Sequence, residues 1–227
     1  MSGLTPETLL TAYAAGVFPM AEAADDPQLF WVDPQRRGIL PLDRFHVPRR
    51  LRRVLRQGRF TIRCDEAFEA VIRGCAEATE KRPNTWINDE IVQLYTELFA
   101  HGAAHSLECR RDGALVGGLY GIAIGAAFFG ESMFSRETDA SKVALVHLIA
   151  RLRHGGYRLL DMQFLTPHLA RFGGIEISRA RYRRLLASAL GYFASFPVVL
   201  PPEAAVLLSE GSGGGTGAPL QSSRITS

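Results

Sequence analysis

Apolar positions along this chain recur with two periods, and the changes between them mark a series of short elements. Phe68, Val71, Ile72 and Cys75 follow the i, i+3, i+4, i+7 spacing of a buried helical stripe, and Ile91, Leu94, Tyr95 and Leu98 repeat that apolar stripe later. A longer helix is predicted over Ala140 to His154, with Asp139 as its cap and Gly155-Gly156 as its stop. Thr5-Pro6 opens a first helix that Gly16 closes, Val47-Pro48 precedes an arginine-rich helix closed by Gly58, and Asp65 and Asn88 or Asp89 cap the two striped helices. His168 to Phe172 reads as a short helix or turn, and Ser178 opens a last helix through Leu190. Strands are expected at Leu29–Val32, Gly38–Leu40, Phe60–Cys64, His105–Cys109, Ala114–Val116, Leu119–Ile124, Ala127–Phe129, Tyr157–Gln163 and Phe196–Leu200. Asp112-Gly113 is a strong hairpin turn, Gly117-Gly118 a bulge or close approach, Val17–Met20 an apolar loop, Asp25–Pro27 a turn and Ala78–Asn84 a polar loop.

A meander followed by a helix and a further strand predicts an α+β fold, a mainly antiparallel sheet with helices in the style of Gcn5-related acetyltransferases. The expected organisation is a small N-terminal domain over 1–45, an acetyltransferase-like domain over 46–207, and a disordered tail over 208–227, where Gly and Ser dominate. The N-terminal piece is too small to hold much core alone, and Trp31 is its expected packing contact.

Composition changes this picture little. The apolar share of 47% suffices for a core without staples, and the longest apolar runs are interrupted well short of the ~18 residues a bilayer span needs. Cys64, Cys75 and Cys109 form no metal-ligand pair and read as buried core in a reducing cytoplasm. Net charge is only +3, yet lysine occurs solely at Lys81 and Lys142, so 24 of the 26 basic residues are arginine. Arg49, Arg50, Arg52, Arg53, Arg56 and Arg59 crowd one short segment, and Arg179, Arg181, Arg183 and Arg184 another. Each cluster is either a phosphate-facing patch or a solvated helix face.

The residues that carry chemistry lie between Leu115 and Gln163. Glu131 is set among Phe128, Phe129, Met133 and Phe134, where an unpaired charge is costly to bury, so it needs a partner: a structural arginine or a substrate cation. In a strand over Tyr157–Gln163, Asp161 and Gln163 share one face, as a functional acid–amide pair or as a solvated strand end. No Ser-His-Asp order, metal-binding pair or Gly-rich phosphate loop is present, and the six histidines fall singly, with no catalytic role assigned.

The words Phe129-Gly130-Glu131-Ser132-Met133-Phe134-Ser135, Ala140-Ser141-Lys142 and Asp161-Met162-Gln163 resemble the leucyl/phenylalanyl-tRNA-protein transferase family. Tyr13 to Pro19 and Trp31-Val32-Asp33-Pro34 extend the resemblance upstream, so that it covers roughly Leu9 to Leu190. It implies an enzyme that moves leucine or phenylalanine, with methionine as a further candidate, from aminoacyl-tRNA to a protein's N-terminal arginine or lysine, marking that protein for N-degron proteolysis. No cofactor or metal is implied, and a cytoplasmic monomer without membrane contact is expected. On this reading Asp161 orients Gln163, whose amide positions or polarises the reacting groups, while Asp161 favours the positive charge developing on the amine. Glu131 meets the incoming basic terminus, with Ser135 in the same substrate-side word.

Phe128, Met133, Phe134, Leu148 and Leu152 would form the side-chain pocket, although apolar residues at helical spacing also make plain core. The family pattern carries aromatic residues at one or both of the Leu148 and Leu152 positions, and this chain departs from it there. Trp31 and Trp86 would stack on the terminal adenine or serve as core anchors, while Arg49, Arg50, Arg52 and Arg53 would hold acceptor-stem phosphates. Two other classes stay open: an acyl-coenzyme A N-acetyltransferase, for which the usual pyrophosphate loop is missing, and a non-catalytic RNA-binding module.

Overall fold

The structure, a computed structural model, describes residues 4–21, 29–79, 84–201 and Ala204. The expected turn at Asp25–Pro27, part of the polar loop at Ala78–Asn84 and the tail lie outside the described residues.

Seven strands form one sheet in the order β4-β5-β6-β7-β8-β3-β9: β3 (Arg36–Ile39), β4 (Thr61–Cys64), β5 (Ala104–Arg111), β6 (Ala114–Ile124), β7 (Ala127–Ser135), β8 (Leu159–Asp161) and β9 (Ile175–Ser178). Every pairing is antiparallel except β7 with β8, which the long helix α5 (Ala140–His154) connects in parallel. The fold is therefore α+β with a mainly antiparallel sheet.

Period-2 alternation sends neighbouring residues into two cores. Phe129, Ile39 and Leu159 face α1 (Pro6–Ala15), α3 (Phe68–Ala76), α4 (Asp89–Ala100) and α7 (Arg179–Leu190). Phe128, Leu40 and Leu160 face α5, α2 (Arg49–Arg56) and the short α6 (Pro167–Ala170). A separate hairpin pairs β1 (Phe18–Ala21) with β2 (Leu29–Val32), so the segment expected to be an apolar loop is largely strand.

Several caps act as the sequence suggests. Thr5, Asn88 and Ser178 each accept a backbone N–H of the first helical turn, and Gly16 ends α1 at φ +89. Two do not. Asp65 instead accepts from the Ser106 N–H and pairs with His105, leaving Ala67 at the start of α3, and Asp139 pairs with Lys142 from a left-handed backbone at φ +73.

The strand expected over Phe196–Leu200 does not form: that run has no ladder partner and leaves Val199 82% exposed. β9 was not expected, and Leu119–Ile124 is one strand with Ala114–Val116, its bulge lying beside Gly117 as foreseen. All three cysteines are buried. No helix of the described residues is long and apolar enough to cross a membrane.

Candidate active site

Glu131 owes its position to a break in the β6–β7 ladder. Tyr120 pairs with Ser132 and the next residue, Gly121, with Gly130, so Glu131 is the extra residue of a β-bulge. Gly121 permits the close packing opposite: a Cβ there would lie 2.3 Å from the Phe129 carbonyl oxygen and 2.4 Å from the Phe128 ring. The bulge lies just past the point where β7 and β8 part. Their pairing stops at Phe129 and Asp161, and a cavity of about 310 Å³ opens beyond them.

Glu131 lines that cavity with both oxygens engaged. Oε1 accepts from Gln163 Nε2 at 3.1 Å, and Oε2 accepts from the Tyr95 hydroxyl at 3.2 Å. The Tyr13 hydroxyl lies 2.6 Å from that of Tyr95, completing a buried relay. No basic side chain among the described residues reaches Glu131 to form an ion pair, so the structural-arginine alternative finds no partner there. Burial pushes its carboxyl up to about 7; hydrogen bonds from Tyr13 and Tyr95 act the other way, the Asp161 charge adds to the rise and Arg37 opposes it.

Gln163 is held by a left-handed backbone, φ +55, that a residue with a side chain adopts at a cost. Two bonds maintain it: its N–H donates to Asp161 Oδ1 at 2.9 Å, and its carbonyl accepts from the Gly38 N–H at 3.0 Å. β8 ends at Asp161, so the acid and the amide are not successive same-face residues of one strand as expected; the acid instead folds the chain that carries the amide. Nor is this a solvated strand end, because Asp161 is fully buried and Gln163 only 7% exposed.

Asp161 is in turn occupied by Arg37, which pattern reading did not single out. The guanidinium donates to Oδ1 at 2.9 Å from Nε and to Oδ2 at 2.6 Å, while the Tyr182 hydroxyl donates to Oδ2 at 2.7 Å. Arg37 also donates to the Gly16 carbonyl, and it sits between Phe18 and Tyr182 with its central carbon 4.5 Å from both ring centroids. Asp161 is thus buried, partnered on both oxygens and absent from the cavity wall, where the developing charge on an amine would lie; its contact with the site is the bond to the Gln163 N–H, and α1, β1, β3 and α7 converge around it.

Of the other residues singled out above, Trp86, Met133 and Leu148 line the cavity with Glu131 and Gln163. Phe128, Phe134 and Leu152 do not. Phe128 stacks on Phe196 in the core, Phe134 packs on Gly74 with Arg136 over its ring, and Leu152 is fully buried one turn beyond Leu148. Ser135 accepts from the Ser141 N–H and donates to the Glu137 carbonyl, a structural task at the start of α5.

Trp31 is 45% exposed instead of packed, and lies opposite Pro19, a cavity-lining residue, in the β1–β2 hairpin. On α2, Arg49, Arg50 and Arg53 project outward, whereas Arg52 donates back to the Val47 carbonyl. In the second arginine cluster, Arg179 and Arg183 pair with Asp33.

The cavity wall also includes Phe18, Leu145, Met162 and His168, which sequence reasoning missed for this site. Tyr95 carried a partial signal, since a buried tyrosine on an apolar helix stripe needs a partner for its hydroxyl. Chemically, the site joins an apolar socket to an oriented amide and a carboxylate that ionises near neutrality. That combination suits an amino acid side chain beside a cationic amine.

Comparisons with known proteins cover the stretch of chain that holds this cavity. Residues 39–187 match the family model for leucyl/phenylalanyl-tRNA protein transferase, and residues 3–35 match that for its N-terminal domain. The chain is 66% identical over 196 residues to a leucyl/phenylalanyl-tRNA--protein transferase of Paramagnetospirillum magneticum, covering 86% of this chain and 94% of that one. It is 55% identical over 207 residues to the protein of the same name from Rhodospirillum rubrum, covering 91% and 97%. Among solved structures, L-PGS from Bacillus licheniformis aligns with a TM-score of 0.46 at 12% identity, over 69% of this chain and 65% of that one. With both family models matched in order and close relatives covered almost end to end, this chain belongs to the leucyl/phenylalanyl-tRNA protein transferase family of enzymes.

Proposed function

We propose that this chain, acting as a cytoplasmic monomer, transfers leucine or phenylalanine from aminoacyl-tRNA to the N-terminal arginine or lysine of acceptor proteins, marking them for N-degron proteolysis. One observation carries the reading: an apolar cavity ends on Glu131 and Gln163, hydrogen-bonded to each other and oriented from behind by buried groups. The donor's side chain occupies the socket formed by Met133, Leu145, Leu148 and Met162. Methionine adapts to either guest, and one methylene is worth only ~1 to 3 kcal/mol of discrimination, so leucine and phenylalanine are both accepted and methionine is tolerated.

The reaction is ester aminolysis. The acceptor's α-amine, in its neutral form, attacks the ester carbonyl carbon, a C–N bond forms, the bond to the ribose oxygen breaks, and that oxygen takes the proton the amine gives up. Since the ester is already activated, alignment is the main requirement, and it can contribute on the order of 7 kcal/mol. Gln163 supplies a fixed amide whose carbonyl can accept from the attacking amine. Glu131 attracts the guanidinium or ammonium of the acceptor's basic N-terminal residue, whose arrival favours the ionised carboxylate. Trp86, on the cavity wall, and Trp31, beside it, offer stacking surfaces for the terminal adenine. Arg49, Arg50 and Arg53 present an exposed basic face to the phosphates of the RNA's acceptor end.

The test incubates the protein with leucyl- or phenylalanyl-tRNA and peptides beginning with arginine, lysine or alanine, and weighs the products. Addition of one leucine or phenylalanine to the arginine and lysine peptides alone is expected. Equal modification of the alanine peptide, or none of any, would overturn the assignment.

A further inference from the structure

A second cavity, of about 260 Å³, shares a wall with the first. Thr166, His168 and Leu169 border the reaction cavity, and His168, Arg171 and Phe172 border the second, so α6 and the turn after it separate the two. The opposite wall comes from Arg50 and Leu51 on α2 and from Thr138, Asp139 and Lys142 at the start of α5. Three cations thus face one carboxylate, Asp139, which Lys142 contacts at 2.5 Å. Arg50 and Arg171 have no acidic partner within salt-bridge distance among the described residues. Unneutralised arginines of opposing elements, converging on one hollow, suit a small anion with several acceptor oxygens.

Position identifies the anion. The hollow lies between the exposed arginines of α2 and the cavity that ends on Glu131 and Gln163. A donor acylated on its terminal ribose carries its nearest phosphodiester on the 5′ side of that same nucleoside, one sugar away from the reacting ester. We infer that this second cavity binds the phosphodiester between the last two nucleotides of the aminoacylated RNA end, through Arg50, Lys142 and Arg171, and thereby sets the depth to which the ester enters the reaction cavity. The inference rests on the transferase reading above. His168 forms the shared wall, and burial, followed by the Lys142 and Arg171 charges, holds its imidazole below the ordinary value. Its neutral form can present one N–H without adding repulsion between the cations.

Two donors separate the possibilities: phenylalanyl-adenosine without a 5′ phosphate, and a phenylalanylated cytidyl-cytidyl-adenosine trinucleotide, each with an arginine peptide as acceptor. Arg171→Gln leaves the Lys142–Asp139 pair in place, and Lys142→Gln removes a second cation from a different element. Each variant is expected to lower kcat/KM for the trinucleotide about tenfold, chiefly through KM, as loss of a charge-assisted hydrogen bond would. The preference for trinucleotide over nucleoside falls by the same factor. Arg171→Lys should recover part of it, and the salt dependence of trinucleotide binding should lose about 0.7 in log–log slope for the one phosphate released. If both donors lose equally, or neither loses, the phosphate site is wrong while the transferase reading stands. If the parent protein uses neither donor nor charged tRNA, the transferase reading itself fails.

Discussion

Replacing Arg37 by methionine tests whether the buried ion pair holds the amide in place. The substitution keeps much of the apolar stem between Phe18 and Tyr182 but removes both donors to Asp161 and the bond to the Gly16 carbonyl. Asp161 then remains fully buried with only Tyr182 and the Gln163 N–H to satisfy it. Breaking a buried pair from one side costs about 3–5 kcal/mol, a large share of the ~5–15 kcal/mol that a domain has in total.

In urea denaturation Arg37→Met should therefore lower the midpoint strongly with an unchanged slope. Pairing it with Asp161→Asn should recover part of the loss, because the stranded charge is gone, giving a double-mutant coupling of about 2 kcal/mol or more. Single-turnover transfer, measured where the variant is still folded, should fall about 10²-fold, the order expected when a reacting group is misplaced by an ångström. A stability loss below about 1 kcal/mol together with near-parental transfer would refute the claim that this pair positions Gln163.

Three further outcomes follow from the same geometry. Glu131 has its carboxyl raised from 4.5 to about 7, so what it contributes to stability is fully present below 4.5 and lost as pH rises through about 7; Glu131→Gln should therefore gain melting temperature relative to the parent between pH 5 and pH 8, and equal curves would refute the shift. Leu148→Ala should change the leucine-to-phenylalanine preference, whereas Leu152→Ala, in the core and off the cavity wall, should cost about 2–5 kcal/mol in chemical denaturation and leave the preference alone. Gly38→Ala would bring a Cβ to 2.6 Å from the Leu165 nitrogen and the Phe164 carbonyl carbon, in the loop that carries Gln163, so kcat should fall while donor KM changes little; an unaffected kcat would show that this loop tolerates displacement.

The secondary structure that could be read from the chain was the part governed by local chemistry. Stripes such as Phe68, Val71, Ile72 and Cys75 became buried helix faces, and Asp112-Gly113 became a hairpin turn, because those signals lie within one element. Val17–Met20, read as an apolar loop, is largely strand, in a two-stranded hairpin where a proline such as Pro19 is tolerated. The run Phe196–Leu200 has strand composition and lacks a partner strand, and composition cannot supply one. The strand expected over Ala127–Phe129 continues to Ser135 as β7, through a bulge at Glu131 that lies just past the expected end. Of the three functional classes that the residues left open, family membership selects the transferase.

The same division explains the site. Glu131, Asp161 and Gln163 could be named because a carboxylate in an apolar run and an acid two residues from an amide are local anomalies. Arg37 is 124 residues from Asp161 and reaches it because β3 lies beside β8, where the ladder holds the single pair Ile39 and Asp161. Nothing near Arg37 distinguishes it from the other arginines until that neighbour is known. The pocket went astray for a related reason: Leu148 and Leu152 share a helix face, but β7 and β8 part over only one of them. What a side chain does here is decided by which strand end it stands beside. The dependence on Arg37 therefore implies that the N-terminal segment, through the Gly16 carbonyl and the Phe18 ring, helps to hold the amide, so a change at Gly16, which lies off the cavity wall, should alter turnover before it alters donor affinity.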